Sequence, residues 1–482
     1  MTERHAYRMP QRPNVLIVLI DTARAQNFSC YGYARDTTPH IDAIAAEGVR
    51  YGQAIATGCW SLPSQLSLLT GLFPSKHGAH ERHLAHPHRY PMLPEVLKAA
   101  GYTTLGVSPN SWMSDEFGAT YGFDTYLKLW QYWPTLAATA AARSRLLVRW
   151  AHRFNRLYTR HIFPRRNRAR HVSQHVRNLL ATAPEPFFMY AIYWDMHLPY
   201  TPHGPQATRW LPAGVGADDA RRVNRNYLAY LTGRTQMTAA DFDILLACYD
   251  GALASIDEEI GALVAMLRQR GLLDRTLLII TSDHGENIGD HGLMSHAYSL
   301  HDTLIRVPLI VRYPDAFPRG ACIASQVQLT DIVPTVFDVV PCDQAGLRQE
   351  LHGSSLLAPQ APHEERLAYA EMLAPHPSIQ AMNRRVGWPE NTPRPAYDRA
   401  LRCLRTPTTK FIWASDGRHA LYNLSQDPHE RRNRYAAEPQ QAAAMAEKLM
   451  AWHPPSGVPL VAPTPELAPD VRQRLRDLGY MA

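Results

Sequence analysis

Asn14-Val15-Leu16-Ile17-Val18-Leu19-Ile20 is a continuous apolar run, rich in β-branched residues, that stops at Asp21. A strand buried on both faces of a parallel sheet has this pattern, because neither face meets water and no polar alternation is needed. Two further runs repeat it. Phe187 to Tyr193 leads into Trp194, Asp195, Met196 and His197, and Thr276 to Thr281 leads into Ser282, Asp283 and His284. Each strand delivers polar, metal-competent side chains at its C-terminal end, the edge where open parallel sheets bind ligands. Helical patterns fall between the strands at Pro39 to Gly48, Leu93 to Gly101 and about Leu246 to Arg270. This alternation predicts an α/β/α sandwich around a central, mostly parallel sheet.

At 482 residues the chain is long enough for that sheet and a smaller unit besides. Its 38 Pro and 45% apolar content indicate many ordered turns rather than disorder. The expected plan is a polar tail over 1–13, a catalytic domain over 14–365, an α+β subdomain over 366–452 and a Pro-rich tail over 453–482. The subdomain is expected from a strand at Lys410 to Ala414, a turn at Asp416-Gly417, a strand at Leu421 to Asn423 and a helix over Ala437 to Trp452. The tail closes with a short helix ending at Leu478-Gly479.

Six scattered Cys form neither a zinc-finger pattern nor a disulfide framework, so reduced thiols are expected. Val15 to Ile20 is too short for a leader core or a membrane span, which predicts a cytoplasmic protein. Eleven Arg and one Lys, with no Asp or Glu, lie between Thr125 and Pro184, and this stretch outweighs the formal charge of +7 on the whole chain. Within the insert at about 140–178, Leu146, Trp150, Phe154, Leu157 and Ile162 recur near helical spacing with Arg between them. The spacing predicts a basic amphipathic helix over Arg143 to Arg177. Such a helix packs its apolar face on the domain, covers an anionic substrate, or docks on an anionic lipid surface as a membrane-peripheral contact. No nucleic-acid partner is expected.

Trp60-Ser61-Leu62-Pro63-Ser64-Gln65 precedes the apolar stretch Leu66 to Leu69, which Gly71 closes. Ser61 reads as a helix cap, and a nucleophile there gains from the positive end of the helix. Asp21, Asp283 and His284 converge on one sheet edge and offer the carboxylate and imidazole donors that one divalent cation takes, with Ca, Mn, Mg and Zn all open. Such a metal lowers the pKa of the Ser61 hydroxyl. His197, His296 and His301 are candidate proton donors or oxyanion contacts.

The order of motifs resembles the sulfatase family of the alkaline phosphatase superfamily over most of the chain. Asp21-Thr22-Ala23-Arg24, Cys30-Tyr31-Gly32 and Thr38-Pro39-His40-Ile41-Asp42 are similar to the family's opening strand and first helix. Ser61-Leu62-Pro63-Ser64, Leu69-Thr70-Gly71 and Pro74-Ser75-Lys76-His77-Gly78 resemble the nucleophile motif and its following turn. Thr281-Ser282-Asp283-His284-Gly285-Glu286, Gly289-Asp290-His291-Gly292 and Ile305 to Ile310 resemble the second metal motif and the strand after it. Leu421-Tyr422-Asn423-Leu424, Asp427-Pro428-His429-Glu430 and Leu475 to Tyr480 resemble the C-terminal subdomain. The resemblance implies an alkaline-phosphatase-like fold and a metal-dependent hydrolase of sulfuric or phosphoric esters acting on an anionic small molecule. It implies Asp21, Asp283 and His284 as metal ligands and Ser61 as nucleophile. It also implies Asn110, in Ser108-Pro109-Asn110-Ser111-Trp112, as an oxyanion contact, and His197 and His296 as substrate contacts or leaving-group acid.

One departure bears on the chemistry. Sulfatases convert the first residue of a Cys/Ser-x-Pro-x-Arg motif to formylglycine, but the Arg position here holds Gln65, and Cys59 lies two residues too early. Unmodified Ser61 is the preferred reading, and it favours a phosphate mono- or diester. A formylglycine arylsulfatase, a phosphotransferase and a non-catalytic binding protein are the alternatives.

Overall fold

The computed structural model describes residues 12–131, 168–200, 202–342, 345–358, 366–386, 395, 397–452 and 467–477. Asn14–Ile20, Phe187–Tyr193 and Thr276–Thr281 are strands with every residue buried, as their unbroken apolar character requires. They lie side by side in a nine-stranded sheet. Its order is Ala321–Gln328, Val49–Ile55, Leu309–Arg312, Thr276–Thr281, Asn14–Ile20, Phe187–Tyr193, Thr103–Ser108 and Thr125–Lys128, with Arg306–Val307 beside Val49–Ile55. The strands from Thr276–Thr281 to Thr125–Lys128 are parallel, whereas Leu309–Arg312 runs antiparallel to both of its neighbours.

Alternate residues of the first strand feed two cores. Val15, Ile17 and Leu19 pack with the helices Ser61–Thr70, Leu93–Ala99 and Ile332–Val339, while Leu16, Val18 and Ile20 pack with Pro39–Ala46, Arg168–Thr182 and Ala239–Gln269. This is the expected α/β/α sandwich. The long helix begins at Ala239 rather than near Leu246, because Thr238 and Asp241 form a capping box there. Its first turn, from Ala239 to Phe242, is exposed or partly exposed.

The C-terminal unit is a four-stranded antiparallel sheet in the order Ala368–Met372, Leu401–Arg405, Thr409–Ala414 and Ala420–Asn423. Helix Pro439–Ala451 packs on it through Ala442, Met445 and Leu449. The two sheets are stitched together. Glu371 N–H donates to Thr57 O at 2.8 Å, and the largely buried Asp302 accepts from Arg405 (2.9 Å) and Lys410 (2.8 Å), the latter also paired with Glu430 (2.8 Å). Burial acts to raise the Asp302 carboxyl pKa, but Arg405 and Lys410 outweigh it and hold the group ionised.

Of the predicted basic helix over Arg143 to Arg177, the described part begins at Arg168 and belongs to helix Arg168–Thr182; Leu146, Trp150, Phe154, Leu157 and Ile162 lie outside the described residues, as does most of the Pro-rich tail. Among the described residues, no helix is long and apolar enough to cross a membrane.

Candidate active site

Asp21 ends the first strand, its N–H held by Tyr193 O at 2.9 Å, and Thr22 turns the chain sharply with a left-handed φ of 62°. Asp283 and His284 end the neighbouring strand. Ser61 is the first residue of helix Ser61–Thr70, with Trp60 rather than Ser61 as its N-cap, and every residue of that helix is buried. Its first-turn N–H groups lack intrahelical partners, so the end carrying Ser61 is electropositive. The Pro74–His77 turn braces this helix. His77 Nδ1 accepts Ala79 N–H, so Nε2 carries the proton, and it contacts Ser67 Oγ and Pro63 O, each at 3.1 Å.

These elements meet at one point. Ser61 Oγ lies 3.4 Å from Asp21 Oδ2 and 3.4 Å from His284 Nε2, and Asn110 Nδ2 donates to Ser61 Oγ (3.0 Å) and to Asp21 Oδ2 (2.6 Å). One ligand atom each from Asp21, Asp283 and His284 lies within 4.8 Å of the others. His284 Nδ1 donates to Gly285 O at 2.9 Å, which leaves the Nε2 lone pair facing Asp21 Oδ1 at 3.8 Å and Asp283 Oδ2 at 3.7 Å. Those distances are too long for hydrogen bonds, and Asp21 Oδ1 is buried with no hydrogen-bond partner. A divalent cation satisfies all three donors, so the residues fit a metal. The protein's own field points the same way. Burial, then the Asp283 carboxylate, push the Asp21 carboxyl well above its ordinary value against the hydrogen bonds of Asn110 and Ser61, a penalty that a bound cation reverses.

His296 and His197 are both brought to this cluster. The His296 ring centroid lies 4.5 Å from that of His284 and 4.9 Å from that of His197. His296 sits between Ser295 (φ 71°) and Ala297 (φ 79°), two non-glycine residues in the left-handed region, each costing about 1–3 kcal/mol. Ala297 N–H donates to Cys59 O at 3.1 Å and anchors that strained loop to the segment before Ser61. His301 is placed elsewhere: it stacks on His291 at 3.7 Å, and its Nε2 meets Tyr422 Oη at 3.3 Å, against the C-terminal sheet. No contact among the described residues brings it to Ser61.

Several residues at the site carried no role from sequence. Glu286 Oε1 lies 3.1 Å from His296 Nδ1 and fixes the ring's orientation; it sits within the metal motif, and its charge type was the available signal. Gln65 donates to Asp283 Oδ2 at 2.7 Å and accepts from Tyr190 Oη at 2.9 Å. Tyr190 is one of two phenols on strand Phe187–Tyr193, and its central hydroxyl was the available signal. His376 packs edge-on against Trp60 at 4.7 Å, 315 positions away in sequence from Ser61, where no local pattern reports it.

The family model described as Sulfatase matches residues 13–341. An uncharacterized Escherichia coli (strain K12) sulfatase, YidJ, is 25% identical over 455 residues, covering 88% of this chain and 83% of the relative. An N-acetylglucosamine-6-O-sulfatase of Bacteroides thetaiotaomicron is 25% identical over 399 residues, covering 70% of each chain. Among solved structures, the phosphonate monoester hydrolase of Agrobacterium radiobacter superposes with a TM-score of 0.67 at 22% identity, covering 91% of this chain and 95% of that one.

Proposed function

The chain belongs to the sulfatase family and is an ester hydrolase, and from that premise we propose that unmodified Ser61 attacks an anionic phosphate mono- or diester with the help of one divalent metal ion. The observation that carries this reading is a single hydroxyl 3.0 Å from Asn110 Nδ2 and 3.4 Å from both Asp21 Oδ2 and His284 Nε2. Asp21, Asp283 and His284 would hold the ion, whether calcium, manganese, magnesium or zinc. Bound there, it supplies Lewis-acid charge that lowers the hydroxyl pKa and offsets the charge of the ester.

Asp21 Oδ2 is within reach to accept the Ser61 proton. As the bond from Oγ to phosphorus forms and the bond to the leaving oxygen breaks, Asn110 Nδ2 and the helix N-terminus stabilise the negative charge. Burial, then Asp21, push the Glu286 carboxyl well above its ordinary value, so it donates to His296 Nδ1 and leaves the ring proton on Nε2 for the leaving oxygen. His197, whose Nδ1 donates to Leu198 O at 2.9 Å, presents an Nε2 lone pair beside it. Water can then attack the phosphoserine in line. A plain serine sulfate has no such easy release, because it lacks the aldehyde exit of a formylglycine hydrate. Gln65, clamped between Asp283 and Tyr190 where the family motif has Arg, weighs against formylglycine.

Mass spectrometry of the peptide spanning Ser61, with paired assays on aryl phosphate and aryl sulfate, tests this. Serine or phosphoserine, with phosphate turnover that vanishes in S61A, is the expected result. Formylglycine with sulfate turnover would replace this reading with an arylsulfatase, and product yield rising with added alcohol would make it a transferase.

A further inference from the structure

Helix Pro469–Asp477 carries a charge on the face that its spacing makes apolar. Val471 and Leu475 are fully buried and join the core that contains Leu62 and Leu66 of the Ser61 helix. Arg474 is three residues from one and next to the other, and it too is buried, at 5% exposure. Taking a guanidinium out of water is costly, so an Arg at a core position points to a specific partner. Asp470 fastens the same helix to the main domain by accepting from Gln131 Nε2 at 2.8 Å.

A partner on the catalytic side is Trp194. The Arg474 guanidinium carbon lies 5.1 Å from the centroid of that ring, within the range at which a cation is drawn to an indole. Trp194 follows strand Phe187–Tyr193 and is buried, and its O accepts His197 N–H at 3.2 Å, so the two residues flank one tight turn. Their rings pack at 4.7 Å, and the His197 ring lies 4.9 Å from that of His296. The hydrogen bond from His197 Nδ1 to Leu198 O holds one corner of the imidazole, and packing against Trp194 restricts its plane.

We propose that Arg474 is a positioning residue for His197: through its contact with Trp194, helix Pro469–Asp477 holds that imidazole in place beside His296. The consequence for turnover rests on the ester-hydrolase reading above. Trp194, His197 and His296 all lie within the span that matches the family model, residues 13–341, whereas the brace arrives from well beyond it.

Histidine labelled with carbon-13 at Cε1 reads the surroundings of each ring without turnover, because a neighbouring indole shifts the resonance by its ring current. The signal missing from H197N belongs to His197. It should move in R474M and in W194F, and return toward its wild-type position in R474K, which restores a cation. V471A loosens the same helix without touching the cation. A His197 signal that stays put in R474M, or that moves as far in V471A as in R474M, would overturn the proposal. In assays on whichever ester the wild type hydrolyses, R474M should lower kcat/KM about tenfold, while H197N and R474M/H197N are equally active, since residues acting along one path are not additive. An equal loss in both backgrounds, or none in either, would also overturn it; melting temperatures of all variants identify a folding defect. Absence of hydrolysis defeats the ester-hydrolase reading alone and leaves the His197 resonance as the measure of this proposal.

Discussion

Gln65 Nε2 donates to Asp283 Oδ2 at 2.7 Å, while Tyr190 Oη donates to Gln65 Oε1 at 2.9 Å. A neutral amide therefore orients the carboxylate proposed to hold the metal, and a phenol on a fully buried strand orients the amide. Partners of metal ligands commonly set affinity by 10- to 100-fold. We expect Q65A to weaken divalent-metal binding by about that factor, with activity restored at high metal concentration; metal titration by calorimetry measures it. Unchanged affinity would show that Asp283 is oriented by its own backbone contacts.

Glu286 Oε1 and His296 Nδ1 lie 3.1 Å apart. If His296 protonates the leaving oxygen, the loss in H296A should grow with leaving-group basicity, reaching about 10²- to 10⁴-fold for alkyl esters and little for nitrophenyl esters. E286A should follow the same trend with a smaller loss. A loss independent of the leaving group would show that His296 binds the ester rather than protonating its leaving oxygen.

Burial pushes the Glu81 carboxyl up from 4.5 to about 7, against the donated hydrogen bonds of Trp60 Nε1 and Leu373 N. Folded Glu81 binds its proton more tightly than the unfolded chain does, so protonation favours the fold. The contribution is full below pH 4.5 and is lost as pH rises through 7. The shift corresponds to about 3 kcal/mol. E81Q should therefore show a smaller fall in Tm between pH 5 and pH 8 than the wild type, read by scanning calorimetry.

Lys410 is fully buried between Asp302 and Glu430, each at 2.8 Å. Removing it strands buried Glu430 and leaves Asp302 with Arg405 as its charge partner. K410M should cost about 3–5 kcal/mol of stability in denaturant titration, and a loss near zero would mean that Arg405 alone suffices for Asp302.

The sheet was readable because its central strands are unbroken apolar runs: Phe187–Tyr193 and Thr276–Thr281 begin and end where the hydrophobic pattern does. The gathering of Asp21, Asp283 and His284 was also legible, since parallel strands place their C-terminal ends along one edge. What escaped lies in long-range contacts. His301 and His296 are five residues apart and alike in sequence, yet one stacks on His291 and the other lies tilted against His284, with a strained turn at Ser295 and Ala297 flanking His296. The start of the long helix at Ala239 escaped because capping there is polar and exposed.

The bond from Glu371 N–H to Thr57 O has a practical consequence for engineering. It makes the C-terminal sheet an extension of the loop that presents Ser61, so a chimera that grafts a relative's sheet onto this chain at residue 366 would import a foreign wall for the reaction chamber. Such a graft succeeds only if the partners of Glu81 and Asp302 travel with it.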